Sequence, residues 1–375
     1  MRHFMFELKN LIFSKKFLIT LALLISAIST LFARNYLLQD YAFEQKDEEI
    51  SSLIKFHRDK IYAYEGYLLE NPGHKQTEEL IKANEPSLQA ALIWRSGFVK
   101  EGDWREILEN ETDYIESLDI YFEQEDEDEH PLSSAERSFR IQKNEEYLQR
   151  DIPPEYIDYS LAVPNFFKQV IDLFVKYGGF IIILILISEL LAHEFETRKI
   201  LFQFTQPIKR ANIIIAKFFA AVIAYVITLA VILLTTYIIP TFFGHDGSFE
   251  YPIFININEQ LQAINIAKYI SNVIIVSIFF ALVIISLYLL ISLFMKQTLL
   301  TLFVVTIITV FGALIPLVTK VDIVTWINPF RYFLTTDFMY MQNISFWYQG
   351  IPASILLTIL FLMFAMIHIR YIKVE

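Results

Sequence analysis

The sequence predicts an all-α membrane protein with six transmembrane helices and a mainly helical extracytoplasmic domain. Of its 375 residues 55% are hydrophobic, above the roughly 45–50% apolar content of soluble domains. Residues 218–243, 269–295 and 297–319 carry no charge, and each run exceeds the roughly 18 residues that a spanning helix needs. Residues 40–167 hold 31 of the 42 acidic side chains but only 13 of the 31 Lys and Arg. This asymmetry separates an acidic polar block from a basic, apolar remainder.

A short amphipathic segment precedes the first predicted span. Phe4, Leu8 and Leu11 share one helical face, which predicts a helix on the inner leaflet; a simple basic flank is the alternative. The spans are placed at 17–37, 170–192, 213–239, 269–295, 297–319 and 351–369. The chain thus divides into an interfacial helix at 1–16, a first span at 17–38, an acidic extracellular domain at 39–168, and the other spans in 169–375 with a cytoplasmic loop at 193–212.

The orientation follows from the basic residues of the short loops. Eleven Lys and Arg flank the side that holds both termini, against three on the other side. The eleven are Arg2, Lys9, Lys15, Lys16, Arg198, Lys199, Lys209, Arg210, Lys296, Arg370 and Lys373, and the three are Lys268, Lys320 and Arg331. We therefore expect both termini in the cytoplasm of a bacterium and the chain in its plasma membrane. The absence of cysteine excludes disulfides, thiolate zinc sites and cysteine nucleophiles.

The acidic block has the periodicity of about four helices. Apolar residues recur at helical spacing from Ile50, a turn is predicted at Asn71-Pro72-Gly73, and further helical patterns cover 75–97, 103–122 and 133–150. The acidic run 123–129 is interpreted as a solvated loop, with a site for a cation or cationic peptide as the alternative. Trp94 and Trp104 are interpreted as packing residues, although either could contact a ligand.

The second span carries polar side chains near both of its ends, with Asp172 and Lys176 at one end and Glu189 near the other. Asp172 and Lys176 lie four residues apart on one face and can pair. Glu189, His193 and Glu196 also share a face, which indicates a polar patch at a protein interface or, less simply, a metal or proton site. The sequence from His193 to Thr197 lacks the second histidine of a zinc-protease helix, so no metal site is predicted.

The loop that follows has a helix–break–helix pattern. An amphipathic stretch ends at Pro207, and the chain re-enters the membrane after Lys209 and Arg210. Such a segment presents a rigid helical protrusion at the inner surface, of the kind that docks into a groove on a partner protein.

This loop resembles that of the permease subunits of the ABC-2 family of ATP-binding-cassette transporters. The family pattern is roughly E-x-E-x-G-T-L, a hydrophobic run, P-[IV]-S-R, and a Lys seven residues after the Arg. This chain has EFETRKI at 194–200, PIKR at 207–210, and Lys217 at the matching distance. It departs from the pattern at Arg198, where the family has Gly, and at Lys199, where it has Thr. The stretch 326–332 is similar to the Pro-containing outer segment before the family's last span.

The resemblance implies a role for each matching residue. The residues that it assigns to coupling with an ATPase are Glu194, Glu196, Thr197, Arg198, Lys199, Pro207 and Arg210. Arg210 and Lys217 would anchor the re-entry at the lipid headgroups. Because the chain has no G-x-x-x-x-G-K-[ST] motif, it binds no cofactor by itself, and ATP with Mg²⁺ would bind to a separate ATPase subunit.

The same resemblance implies a second permease, identical or homologous, and it gives the chain no nucleic-acid partner. The uncharged spans suit an amphipathic cargo such as a peptide, antibiotic, lipid or drug leaving along an apolar interface. One alternative is a membrane sensor that uses the acidic domain without an ATPase. The other is an intramembrane enzyme, although His193 and His368, the only histidines in or beside the predicted spans, have no evident partners.

Overall fold

The computed structural model describes residues 2–124, 130–257, 260–318, 328–330, 348 and 350–372. Most of the acidic run 123–129 and of the stretch 326–332 lies outside these residues, as does Lys373. Within them the chain is helical apart from one hairpin. The helices are α1 Arg2–Ile12, α2 Lys15–Leu37, α3 Gln39–Glu70, α4 Lys75–Val99, α5 Trp104–Phe122, α6 Ser134–Arg150, α7 Val163–Val170, α8 Gly179–Ile187, α9 Ala192–Glu196, α10 Lys199–Thr205, α11 Arg210–Phe243, α12 Ile266–Met295, α13 Thr298–Val318 and α14 Gly350–Tyr371.

Four helices, α2, α11, α12 and α14, are long and apolar enough to cross a membrane. They match the first, third, fourth and sixth predicted spans. The second predicted span is a pair of helices, Val163–Val175 and Gly179–Glu196, bent by 51°. The fifth falls on α13, whose apolar part Thr298–Leu314 is shorter, and its predicted end at 319 lies beyond the described residues. The described chain therefore holds four candidate spans, or five if the bent pair is one span.

The bend in the second span begins at a π-helical turn, Ile171–Tyr177. There the Gly178 N–H donates to the Leu173 carbonyl at 2.8 Å, and a side chain at Gly178 would meet that same oxygen at 3.0 Å. Asp172 lies in this turn and pairs with Lys168 at 2.8 Å, whereas the side chain of Lys176, its predicted partner, is outside the described part. A π-turn is rare and interrupts the regular i→i−4 hydrogen bonding of an α-helix.

The acidic block contains the helices that its periodicity predicts. Gly73 adopts φ +85° in the turn between α3 and α4, which glycine tolerates without steric cost. Asp103 and Ser133 cap α5 and α6 by accepting from backbone N–H groups of the first turn. Helices α3, α4 and α5 enclose a buried cluster that is separate from the core of the spans and includes Ile50, Leu53, Trp94, Tyr114 and Leu118. We call α3–α6 the four-helix unit.

A β-hairpin, β1 Pro252–Ile257 with β2 Gln260–Asn265, precedes α12. The sequence predicts only helices, so this hairpin differs from the prediction. Ile253, Ile255 and Ile257 alternate with other residues, a strand period that is easily overlooked in a short loop between spans. The residue just before β1 packs against the four-helix unit, because the hydroxyl of Tyr251 is hydrogen-bonded to that of Tyr147 in α6 at 2.9 Å.

The two ends of the span bundle are therefore distinct. The four-helix unit and the hairpin lie at one end of α11. Helices α1, α9 and α10 lie at the other end, where Arg210 begins α11. The main core lies between, formed by residues of α2, α7, α8, α11 and α12.

Candidate functional site

The segment between α8 and α11 folds as two short helices separated by an elbow. Helix α9 ends at Glu196, and Thr197 caps it by donating from Oγ1 to the His193 carbonyl at 2.7 Å. Arg198 then turns the chain into α10, which ends at Thr205. Pro207 is exposed in the break that follows, and α11 begins at Arg210. We call residues 192–210 the coupling segment.

The elbow requires a left-handed backbone. Arg198 has φ +59° and ψ +9°, a conformation that glycine adopts freely and other L-residues adopt at a cost. It is the position where the ABC-2 pattern has Gly. The departure from that pattern therefore changes the residue but keeps the turn.

Arg198→Gly is expected to raise the free energy of unfolding by up to about 1 kcal/mol, because glycine has no Cβ penalty in the left-handed region. Arg198→Val is expected to lower it by at least about 1 kcal/mol, because β-branched residues tolerate positive φ poorly. Thermal unfolding of the three detergent-solubilised proteins measures the order. Equal midpoints for Gly, Arg and Val would contradict a left-handed elbow.

A buried charged cluster lies beneath the coupling segment. Lys217 of α11 is 1% exposed. Its Nζ donates to Glu194 Oε1 at 2.6 Å and to Glu7 Oε2 of α1 at 2.9 Å. Gln203 of α10 donates to both carboxylates, at 3.2 Å to Glu7 Oε1 and 3.1 Å to Glu194 Oε1. We call Glu7, Glu194, Gln203 and Lys217 the buried cluster. It joins α1, α9, α10 and α11 at one point.

The ammonium of Lys217 is therefore paired inside the protein, whereas the resemblance assigns this residue to the lipid headgroups. Two carboxylates at hydrogen-bond distance hold the ammonium inside the protein, and a buried charge needs such partners. Glu194 and Lys217 are two positions of the motif that lie 23 residues apart in the chain, and their side chains are in direct contact.

His3 extends the buried cluster toward the surface. Its Nε2 lies 3.6 Å from Glu7 Oε1. Burial lowers the pKa of His3 below its usual value of 6.5, and the Glu7 carboxylate acts in the opposite direction. Burial thus favours the neutral form of this imidazole beside Glu7.

Further contacts join the coupling segment to α13 and to the chain end. Glu196 accepts from the Thr298 N–H at 3.1 Å and from its hydroxyl at 2.6 Å, at the first residue of α13. Arg210 donates to the Ile372 carbonyl at 2.7 Å, just after α14, and lies over the Phe204 ring at 4.4 Å. Arg210 thus binds protein groups at both of these contacts.

The predicted patch of Glu189, His193 and Glu196 does not form a single site. The helix is interrupted between α8 and α9, and Glu189 lies 3.9 Å from Lys16 of α2, whereas Glu196 binds Thr298. Within the described ranges no group of three or more His, Asp or Glu side chains could hold a metal ion.

Helix α10 forms a ridge between two grooves. One cavity, of about 520 Å³, is lined by His3, Phe6 and Lys199, among others. The other, of about 410 Å³, is lined by residues that include Phe204 and His368. Phe202 of α10 lines the first of these cavities and is 71% exposed. An exposed aromatic side chain beside a groove is a candidate anchor for a partner protein.

The family model described as ABC-2 family transporter protein matches residues 4–368, nearly the whole chain. The chain belongs to this family. Comparison with curated proteins and with solved structures gives no match. Membership makes the chain a multi-pass membrane transport component, and ABC-2 permeases typically pair with an ABC ATPase.

Sequence reasoning missed two members of the buried cluster. Glu7 is the only acid of α1, and an acid on an otherwise apolar and basic interfacial helix is a signal that a cation lies opposite. Gln203 gave no comparable signal, because a Gln in an amphipathic helix normally faces solvent.

Proposed function

We propose that this ABC-2 chain is the permease subunit of an exporter whose separate ATPase acts on the coupling segment. The observation that carries the proposal is the set of contacts of that segment. It binds α1 and α11 through the buried cluster, α13 through Glu196, and the end of α14 through Arg210. A displacement of α10 would therefore reach several helices of the bundle at once.

The proposal includes the finer topology. The bent pair and α13 count as the second and fifth of six spans, both termini and the coupling segment face the cytoplasm, and the four-helix unit faces outward. ATP and Mg²⁺ bind to the partner ATPase, and a second permease completes the translocation path. Residues 269–295 of α12 and the whole of α13 carry no charge, which favours an amphipathic cargo over a hydrophilic ion.

The test is co-purification of the ATPase with the full chain from its native membrane. Phe202→Asp is expected to lower the recovered ATPase by at least about tenfold, because a charge replaces the exposed aromatic side chain that lines the groove beside α10. Phe202 is exposed, so the substitution leaves the fold intact, unlike substitutions of Glu196 or Arg210, which bind within the chain.

Phe242→Asp is the matched control. Phe242 is 76% exposed at the other end of α11, and its substitution should leave the ATPase bound. Equal loss in both variants would indicate a general effect of the new charge. Recovery of the intact chain with no ATPase would favour the membrane sensor, which needs none.

A further inference from the structure

The four-helix unit contains a cavity of about 510 Å³, within the roughly 300–1,000 Å³ of small-molecule sites. It lies between α3, α4, α5 and α6 and is closed on one side by residues 154–156, which lead back toward α7. It lies at the end of the bundle away from the coupling segment, and its use does not depend on an ATPase.

Aromatic side chains form much of the lining. Trp94 is buried and stacks on Tyr114 with ring centroids 5.7 Å apart. Phe98 and Trp104 are half-buried, and Tyr156 is 46% exposed at the mouth. Such surfaces bind a flat apolar group by burial and stacking.

The carboxylates of the lining are already engaged. Lys46 lies 3.1 Å from Glu49 and 3.2 Å from Glu111. Arg140 binds Glu111 at 3.2 Å, Glu136 at 2.7 Å, and also Glu49. The remaining acid of the lining, Glu155, accepts from Asn165 at 2.8 Å and from Ser160. A cationic ligand would therefore have to break an existing pair.

Lys143 of α6 differs from the other two cations of the lining. Among the described residues it makes no ion pair, and its Nζ lies over the Tyr147 ring, 5.8 Å from the centroid. Burial lowers its pKa, with Glu111 acting in the opposite direction. Its ammonium therefore lacks the partner that a partly buried charge normally has.

We propose that this cavity binds a small amphipathic anion, with its carboxylate at Lys143 and its apolar ring or chain against Trp104, Phe98 and Tyr156. The carboxylate of the ligand supplies an ion-pair partner for Lys143, the one cation of the described lining that has none. The apolar part of the ligand covers the aromatic side chains of the lining. The four carboxylates of the lining oppose an anion only in part, because each is already paired or hydrogen-bonded. The exposed acids of the surrounding unit that lie beyond about 8 Å are screened at physiological ionic strength.

The test uses three soluble probes that share one ring system and differ in charge. These are 1-naphthaleneacetate, its neutral amide, and 1-naphthylmethylammonium. Each is titrated calorimetrically into the full chain in nanodiscs, with empty nanodiscs as the blank for partition into lipid. The carboxylate is expected to bind most tightly, with a Kd below about 1 mM.

Lys143→Gln is expected to weaken the carboxylate by about tenfold, the usual contribution of a hydrogen bond to a charged group, and to leave the amide unchanged. Lys143→Arg keeps the charge and should restore binding, which separates a binding role from a folding role. Lys82→Gln, at an exposed position of α4, is the matched control and should bind like the unchanged chain. Tightest binding of the ammonium, equal binding of all three probes, or no saturable binding of the carboxylate would overturn the proposal.

Discussion

Replacing Lys217 with Met is expected to lower the free energy of unfolding by about 3–5 kcal/mol, the usual cost of removing one partner from a buried ion pair. The cost arises from the groups that remain. Glu7 is 6% exposed, and with Glu194 it would be left charged inside the protein without a cation. Methionine fills the same space, so the loss of packing is small.

The measurement is thermal unfolding of the detergent-solubilised chain, together with hydrogen exchange of the α1 and α9–α10 peptides. Both peptides should exchange faster in Lys217→Met, because the buried cluster is what joins them to α11. A triple variant that also carries Glu7→Gln and Glu194→Gln is the control, and it should recover most of the stability because no buried charge remains. An unchanged midpoint of thermal unfolding in Lys217→Met would contradict the pairing of Lys217 with Glu7 and Glu194 in the buried cluster.

The parts of the fold that sequence predicts are those fixed locally. Apolar length located α2, α11, α12 and α14, and a period of 3.6 located α4, α5 and α6 within two residues of their ends. The break at Ile171–Tyr177 was not predicted, because a π-turn depends on what packs around the helix rather than on its own residues.

The candidate site was predictable only in part for the same reason. The spacing of Glu194, Pro207, Arg210 and Lys217 located the segment, and Pro207 marked its break. The contact between Lys217 and Glu7 spans 210 residues, and no periodicity within α1 or α11 reports a pairing at that separation. The resemblance assigned Lys217 to the lipid headgroups, whereas in the structure its ammonium is paired with Glu7 and Glu194 inside the protein.

Trp94→Ala is expected to lower the stability of the four-helix unit by about 3–5 kcal/mol, the usual cost of truncating a buried aromatic side chain. Trp94 is 1% exposed, packs against Tyr114 and Ile50 in the same cluster, and lies beneath the Lys46 ammonium at 4.8 Å. Its removal leaves a cavity and also uncovers one side of the Lys46 ion pairs.

Because the unit's cluster is separate from the core of the spans, the effect should be local. Hydrogen exchange of the full chain is expected to rise in α3, α4 and α5 and to remain unchanged in α11 and α12. Tyr62→Ala is the control, since Tyr62 is 63% exposed on α3 and its loss removes little buried surface. Equal acceleration in α11 and α12 would show instead that the four-helix unit and the spans unfold as one cooperative structure, joined through Tyr147 and Tyr251.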